Sequence, residues 1–344
     1  MILLACPWRK NRATGGFRYN REIARRIGDT ELRYVLIRNG ERRIPAGADL
    51  VVLDSLFFLD PDTGLEVVRE VDAPYGLVVH YLPSSDPTLD DTGRSNFLRG
   101  EDRLLSGAAG AVVTGSREAD SVLRRYPGLR IEVVPPGLSR IGGGGVPEEA
   151  ADGDLGAGPV RLVTVSNLSP LKGIDRLVPV LAGLERKAWT WTVYGDTSAD
   201  PAYTRDLDRA ITDAGLGGRI RLAGKIDPEE VGSALEAADI FVFPSLSESY
   251  GMAAAEAAAA GLPVIMNGTG EMGRILENGR EGFVCPLRNS DLDTKRWEMS
   301  LSRLIDDGSL RRRMASAAAE RASRLNSWDD SAGKFTEAVR SWVR

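Results

Sequence analysis

The chain is short of the residues that bind metals and form covalent bridges. Its 344 residues include two cysteines, Cys6 and Cys285, and one histidine, His80. Two thiols so far apart make no disulfide framework, and with a single histidine they make no zinc site of the usual spacing. No metal ligand is therefore assigned. Long apolar runs are also missing. No stretch reaches the ~18 residues needed to span a bilayer. The apolar start, residues 2–6, is short, and charges follow it instead of preceding it, opposite to a secretory leader. It reads as a first buried strand, and the protein is expected in the cytoplasm. Charge of one sign is lacking as well: 44 basic residues stand against 49 acidic ones, a net of -5. That balance builds no broad field for a polyanion, and no nucleic-acid motif accompanies it.

What the chain does have is length, glycine and a repeating alternation. At 344 residues with 38 glycines, it exceeds a single core, and two domains are expected. Short apolar runs at 2–6, 34–37, 50–53, 76–80, 111–114 and 131–134 read as strands buried on both faces. Helical stretches fall at 17–27, 97–106 and 117–125, with a loop over 7–16. The alternation stops in the glycine-rich, acidic stretch IGGGGVPEEAADGDLGAGP, which reads as a linker. It then restarts, with strands at 160–165, 189–194, 220–222, 240–243, 263–266 and 283–284. Helices are expected after Gly173 and at 203–214, 228–237, 253–260, 272–277 and 291–305. For the helix at 228–237, Asp227 is the expected N-cap and Pro228 the first helical residue. Residues 327–344 show helical spacing of apolar positions and either lie as a surface helix or cross back onto the first domain. The expected domains are thus 1–141, a linker at 142–159, 160–325 and a C-terminal helix at 326–344. This is an α/β architecture of two Rossmann-like domains, with the active site expected in the cleft between them.

The segment carrying most chemistry is Pro244-Ser245-Leu246-Ser247-Glu248-Ser249-Tyr250-Gly251-Met252-Ala253-Ala254-Ala255-Glu256. It leaves a strand and opens an alanine-rich helix. Unpaired N–H groups at such a helix start hold phosphate, and carboxylates nearby accept hydrogen bonds from sugar hydroxyls. Alone, Glu256 reads more often as a solvated helix residue. A second segment, Ser166-Asn167-Leu168-Ser169-Pro170-Leu171-Lys172-Gly173, puts a lysine in a loop after a strand, where it can neutralise a diphosphate. A third, Gly15-Gly16, allows close backbone approach or simply a tight turn. His80 ends a strand, a position more often structural than catalytic.

Taken together, the two glutamates eight positions apart, with Phe243-Pro244 before them and Gly261-Leu262-Pro263-Val264 after, resemble the signature of retaining glycosyltransferases of family 4. The resemblance runs along nearly the whole chain and is strongest over residues 160–286. It implies the GT-B fold and transfer of a hexosyl group from a nucleotide-diphosphate sugar to a sugar, lipid-linked or small-molecule acceptor. It implies roles by position: Glu248 at the donor sugar and Glu256 at the ribose. The backbone around Ser249, Tyr250 and Gly251 would meet the diphosphate or the sugar, and Lys172 the diphosphate. Gly15, Gly16 and His80 would lie near the donor, and Gly224, Lys225 and Ile226 at the base, read through the backbone, so that the base is not legible. His80, Lys172 and Glu248 are the catalytic candidates. Asn167 stands where the family usually has arginine, so one of two expected cations is missing. No tightly bound cofactor is implied, and magnesium is allowed but not required.

Three other readings stay open: another enzyme on this fold (an epimerase or a phosphorylase), a non-catalytic nucleotide-sugar binder, and a NAD-dependent oxidoreductase. The last is favoured only by Gly268-Thr269-Gly270-Glu271-Met272-Gly273, which fits G-x-G-x-x-G late in the second domain. Residues 9–26 carry seven basic residues (Arg9, Lys10, Arg12, Arg18, Arg21, Arg25 and Arg26) against Glu22. Such a helix suits the inner membrane face as a peripheral contact, an anionic acceptor, or plain solvent.

Overall fold

The computed structural model describes residues 1–8, 15–38, 44, 47–139, 158–268, 275–287 and 290–343. The chain divides into two compact units. Unit 1 joins Met1–Gly137 to Asn326–Arg344, and unit 2 is Leu138–Leu325. The expected linker falls almost wholly outside the described residues. So do Arg9, Lys10 and Arg12, the G-x-G-x-x-G match beyond Gly268, and the start of the expected helix at 272–277.

Unit 1 is built on six parallel strands, β1 (Ile2–Pro7), β2 (Leu32–Ile37), β3 (Leu50–Asp54), β4 (Tyr75–Val79), β5 (Ala111–Val113) and β6 (Ile131–Val133), in the order β2-β1-β3-β4-β5-β6. Every residue of β1, β3 and β4 is buried, as expected of parallel strands covered on both faces. The covering helices are α1 (Gly15–Ile27), α2 (Pro61–Val71), α3 (Asp91–Leu105) and α4 (Ser116–Arg125). α1 reaches further back than the expected loop allowed, so Gly15 and Gly16 form its first turn. α2 was not anticipated, although its start is well marked. Asp60 accepts from the Thr63 amide and Pro61 follows it.

Unit 2 repeats the plan with β7 (Val160–Val165), β8 (Trp189–Tyr194), β9 (Ile220–Gly224), β10 (Ile240–Phe243), β11 (Val264–Met266) and β12 (Gly282–Val284), ordered β12-β11-β10-β7-β8-β9. Its helices are α5 (Ile174–Ala182), α6 (Pro201–Asp213), α7 (Val231–Glu236), α8 (Met252–Ala259), α9 (Asp291–Asp306) and α10 (Gly308–Ala322). One expectation fails here. α7 begins at Val231, with Glu230 in the cap position and no side-chain cap bond. Asp227 instead uses its carbonyl, which accepts from the Glu230 amide at 2.9 Å, so residues 228–230 form a turn before the helix. The proline fits that turn as well as it fits a helix start.

In each sheet the strand order reverses once, between β1 and β3 in unit 1 and between β7 and β10 in unit 2. Crevices at the C-terminal strand ends beside such a reversal are where α/β proteins bind ligands.

The last helix, α11 (Trp328–Ser341), belongs to unit 1. Ser327 and Asp330 form a reciprocal capping box at its start. Ser331 Oγ donates to the Pro135 carbonyl at 2.7 Å, and Arg130 donates to the Ser341 carbonyl at 2.7 Å. Just beyond the helix, the Trp342 indole lies against Gly76 and Gly110, where any Cβ would overlap it. Glycine is needed at both places for close approach.

Deleting that indole should cost about 3 kcal/mol, as for other large buried aromatics. Urea unfolding of Trp342→Ala, followed by circular dichroism, should show the loss. Gly110→Ala should also destabilise the chain, and an unchanged midpoint in both variants would refute this docking.

Candidate active site

In unit 2 the two loops flanking the strand reversal carry the expected residues. After β7 the chain makes a short 3-10 turn, Pro170–Lys172, and enters α5 through Gly173 at φ 61°. After β10 it runs through Ser245 and Glu248 to Gly251, at φ 90°, and enters α8. The two loops are joined by backbone and side chain. The Leu246 amide donates to the Leu171 carbonyl at 2.8 Å. Lys172 Nζ lies 2.5 Å from Glu248 Oε1, and Ser245 Oγ donates to the same oxygen at 2.8 Å. Asn267, buried after β11, donates to the Ser245 carbonyl at 3.0 Å. Lys172 and Glu248 are both mostly buried, with side chains 23% and 16% exposed. Such a pair holds only while both charges are present, because removing one strands the other. Both contacts fall on Oε1, which leaves Oε2 without a hydrogen bond among the described residues.

Glu256 lies inside α8 and is buried (7% exposed), among alanines that are buried with it. It is thus not the solvated helix residue that its position alone suggested. α8 has no side-chain cap at Gly251, so its first N–H groups are not served by the usual capping oxygen. The Tyr250 ring is buried in the core with Ala254 and Ala258, which leaves its backbone as the part that a ligand could reach. Asn167 is half-buried just after β7.

Gly224, Lys225 and Ile226 do not join this group. Gly224 ends β9 at the sheet edge, three strands from β10, with Lys225 and Ile226 just after it, and Lys225 is exposed. Backbone bonds tie that corner to the β7 loop: Gly195 N donates to the Gly224 carbonyl at 2.8 Å, and Ser166 N to the Tyr194 carbonyl at 3.0 Å.

In unit 1 the reversal lies between β1 and β3, and His80 follows the next strand, β4. A Cβ on Gly16 would come 2.8 Å from His80 Cδ2, so the first turn of α1 packs directly on the imidazole. Gly15 is exposed. Two residues that the sequence did not single out complete the cluster. Asp54, which ends β3 and is fully buried, stands with its Oδ2 3.4 Å from His80 Nε2. Asn20 donates to that Oδ2 at 2.5 Å, and its Oδ1 is 3.0 Å from Nε2. A carboxylate closing a wholly apolar strand was the one available signal for Asp54. Burial works against its charge, but the His80 ring, the Leu56 amide and Asn20 outweigh it, and the carboxyl lies below its ordinary value. Among the described residues no group of three or more His, Cys, Asp or Glu is placed to hold a metal ion. No described helix is long and apolar enough to cross a membrane.

Residues 147–321, half of the chain, match the family of glycosyl transferases group 1. The chain is 30% identical over 305 residues to the D-inositol 3-phosphate glycosyltransferase of Paenarthrobacter aurescens, covering 85% of this chain and 72% of that one. This chain belongs to the glycosyl transferases group 1 family. The enzyme of the same name from Pseudarthrobacter chlorophenolicus is 27% identical over 314 residues, covering 88% and 73% of the two chains. Other relatives of that name are matched over little more than half of their length. Among solved structures, sucrose-phosphate synthase from Thermosynechococcus elongatus superposes with a TM-score of 0.81 at 18% identity, covering 99% of both chains. Anabaena HepE, solved with UDP and glucose, gives 0.76 at 17% identity, covering 98% of this chain and 99% of its own. These likenesses establish the GT-B fold. The glycosyltransferase is of the retaining type and moves a sugar from a nucleotide-diphosphate sugar to an acceptor. Family membership sets aside the NAD-dependent oxidoreductase reading.

The depressed Asp54 carboxyl makes stability depend on pH. Its folded value lies below its unfolded one, so its contribution is complete above about pH 5 and is lost as pH falls through the folded value. Urea unfolding of this glycosyltransferase and of Asp54→Asn should differ most near neutrality, and the gap should narrow as pH falls below the ordinary carboxylate range. A constant gap would contradict the assignment.

Proposed function

We propose that this glycosyltransferase uses a UDP-hexose donor and a small phosphorylated polyol as acceptor. The carrying observation is the Lys172–Glu248 pair, held with Ser245 at the β7/β10 strand ends. On donor binding, Lys172 turns from Glu248 to the diphosphate and offsets the charge that grows as the leaving group departs. The first amides of α8, around Ser249, Tyr250 and Gly251, share that charge. Glu248, whose Oε2 has no hydrogen bond among the described residues, accepts from hydroxyls of the sugar, and Glu256 accepts from the ribose. Asn167 adds a polar contact but no charge, so Lys172 is the main cation of this loop. Gly224, Lys225 and Ile226 meet the base through their backbone. Gly15, Gly16 and His80 meet the reacting sugar.

In the transfer, the bond from C1 to the diphosphate oxygen breaks and a bond from C1 to the acceptor oxygen forms on the same face. The acceptor's proton passes to the departing phosphate oxygen. No protein nucleophile is assigned, and a magnesium ion accompanying the diphosphate is compatible with this course.

The UDP held by HepE supports the choice of base, and the relatives named for D-inositol 3-phosphate support the acceptor class. The arginines of α1 add to the latter. Arg21 and Arg25 are exposed, Arg25 also reaching Glu22 at 3.4 Å, while Arg26 is taken up by Glu22 and Asp329. The apolar side of α1 is buried within unit 1. Peripheral membrane contact would therefore rest on these charges alone.

Calorimetry should find UDP bound, with ADP and GDP much weaker. Glu256→Ala and Lys172→Ala should each weaken UDP at least tenfold, about 1.4 kcal/mol. D-inositol 3-phosphate, but not inositol, should speed UDP release from UDP-glucose or UDP-N-acetylglucosamine. Absence of UDP binding would remove the donor reading, and equal stimulation by inositol would remove the acceptor reading.

A further inference from the structure

The Glu248 carboxylate is held by two groups that differ in kind. Lys172 Nζ, 2.5 Å from Oε1, ends a flexible four-carbon stem on the loop after β7. Ser245 Oγ, 2.8 Å from the same oxygen, belongs to a buried residue two positions beyond β10. That hydroxyl also lies 3.1 Å from the Ser247 carbonyl and 3.3 Å from the Leu171 carbonyl. It has one proton to donate. Of these three acceptors the carboxylate is the nearest and alone carries charge, so the proton goes to Glu248.

Ser245 is in turn fixed from both sides. Asn267, buried directly after β11, donates from Nδ2 to the Ser245 carbonyl at 3.0 Å. The Asn267 amide donates to the Phe243 carbonyl at 3.1 Å. On the other side the Leu246 amide donates to the Leu171 carbonyl at 2.8 Å. A Cβ on Gly173 would come 2.6 Å from the Pro244 carbonyl oxygen, so the two loops touch there. Residues 244–246 are thus pinned between the end of β11 and the loop after β7, whereas the Lys172 side chain can swing.

That difference matters when the donor arrives. Once Lys172 turns to the diphosphate, Glu248 loses its cation, and a mostly buried carboxylate with fewer partners is costly and free to reorient. We propose that Ser245 is a positioning residue that keeps the Glu248 carboxylate in place after Lys172 has left it, with Asn267 fixing Ser245 from behind. Oε1 stays on the hydroxyl, and Oε2 is offered to the donor sugar. This rests on the reading of Lys172 as a contact of the diphosphate and of Glu248 as a contact of the transferred sugar. Hydrogen bonds from behind lock ligand-binding side chains in this way at other sites.

The test uses the full chain and UDP release from UDP-glucose or UDP-N-acetylglucosamine, whichever the unaltered protein turns over faster. Ser245→Ala should lower kcat/KM by about 10–100-fold, the range for a lost hydrogen bond to a charged group. Affinity for UDP, which carries no transferred sugar, should stay within about twofold. A merely structural role would weaken UDP as well and shift the urea midpoint. Because Ser245 acts through Glu248, adding Ser245→Ala to Glu248→Ala should lower kcat/KM by no more than about twofold further. Asn267→Ala should lower kcat/KM about fivefold, with UDP affinity likewise kept. If Glu248→Ala is impaired, an unchanged kcat/KM in Ser245→Ala overturns the proposal and leaves the donor reading standing. So do losses that simply multiply in the double variant. Should Ser245→Ala fail to fold, Asn267→Ala, alone and combined with Glu248→Ala, decides on the same terms. An unimpaired Glu248→Ala, or turnover of neither donor by the unaltered protein, removes the reading and the proposal together.

Discussion

A parallel strand covered on both faces has no room for a polar side chain except at its ends. β1, β3 and β4 in unit 1 and β10 in unit 2 are buried at every position, so their interiors take only apolar residues. The chemistry is thereby pushed to the carboxyl ends, where the loops begin. Lys172, Glu248, Asn267, Asp54 and His80 each lie at or just after such an end. The strand reversals then select among the loops, because only there do neighbouring connections leave on opposite faces and open a crevice.

Burial sets the second constraint. The charged groups gathered at these ends are mostly out of water, and each has a partner. Lys172 has Glu248, itself steadied by Ser245, and Asp54 has Asn20, His80 and the Leu56 amide. A charge in that position without a partner would lose several kcal/mol to desolvation. The same pairing that makes the free protein stable also keeps the groups poised, because a ligand's phosphate or hydroxyl can take over a contact already formed.

The end of the chain completes unit 1. Tyr19, at the start of α1, meets the rings of Trp328 and Phe335 edge-on, with centroids 6.0 and 6.5 Å apart, and also meets His80. α11 therefore braces the helix whose first turn rests on the imidazole. The link from a distant C-terminal segment to His80 runs through packed aromatic rings, with the Arg26–Asp329 ion pair beside them.

The alternation of strands and helices and the two loops bearing Lys172 and Glu248 were legible in the sequence. Each rests on a local signal: a short apolar run, or a strand-to-helix loop with its charged residues. The start of α7 was misread because Asp-Pro marks a turn as well as a helix. α2 and α10 were missed although Asp60 and Asp307 cap them; the apolar period of α10 is weak, whereas that of α2 was there to be read. What only the tertiary structure decided is who meets whom across long separations. Asn20, Asp54 and His80 are brought together from α1, β3 and the end of β4, and Trp342 finds Gly76 and Gly110. Local propensity is a property of neighbours in the chain. The approach of Asp54 to His80, the burial of Glu256 and the need for glycine at 76 and 110 are properties of neighbours in space, fixed only when the sheet order places those strands side by side.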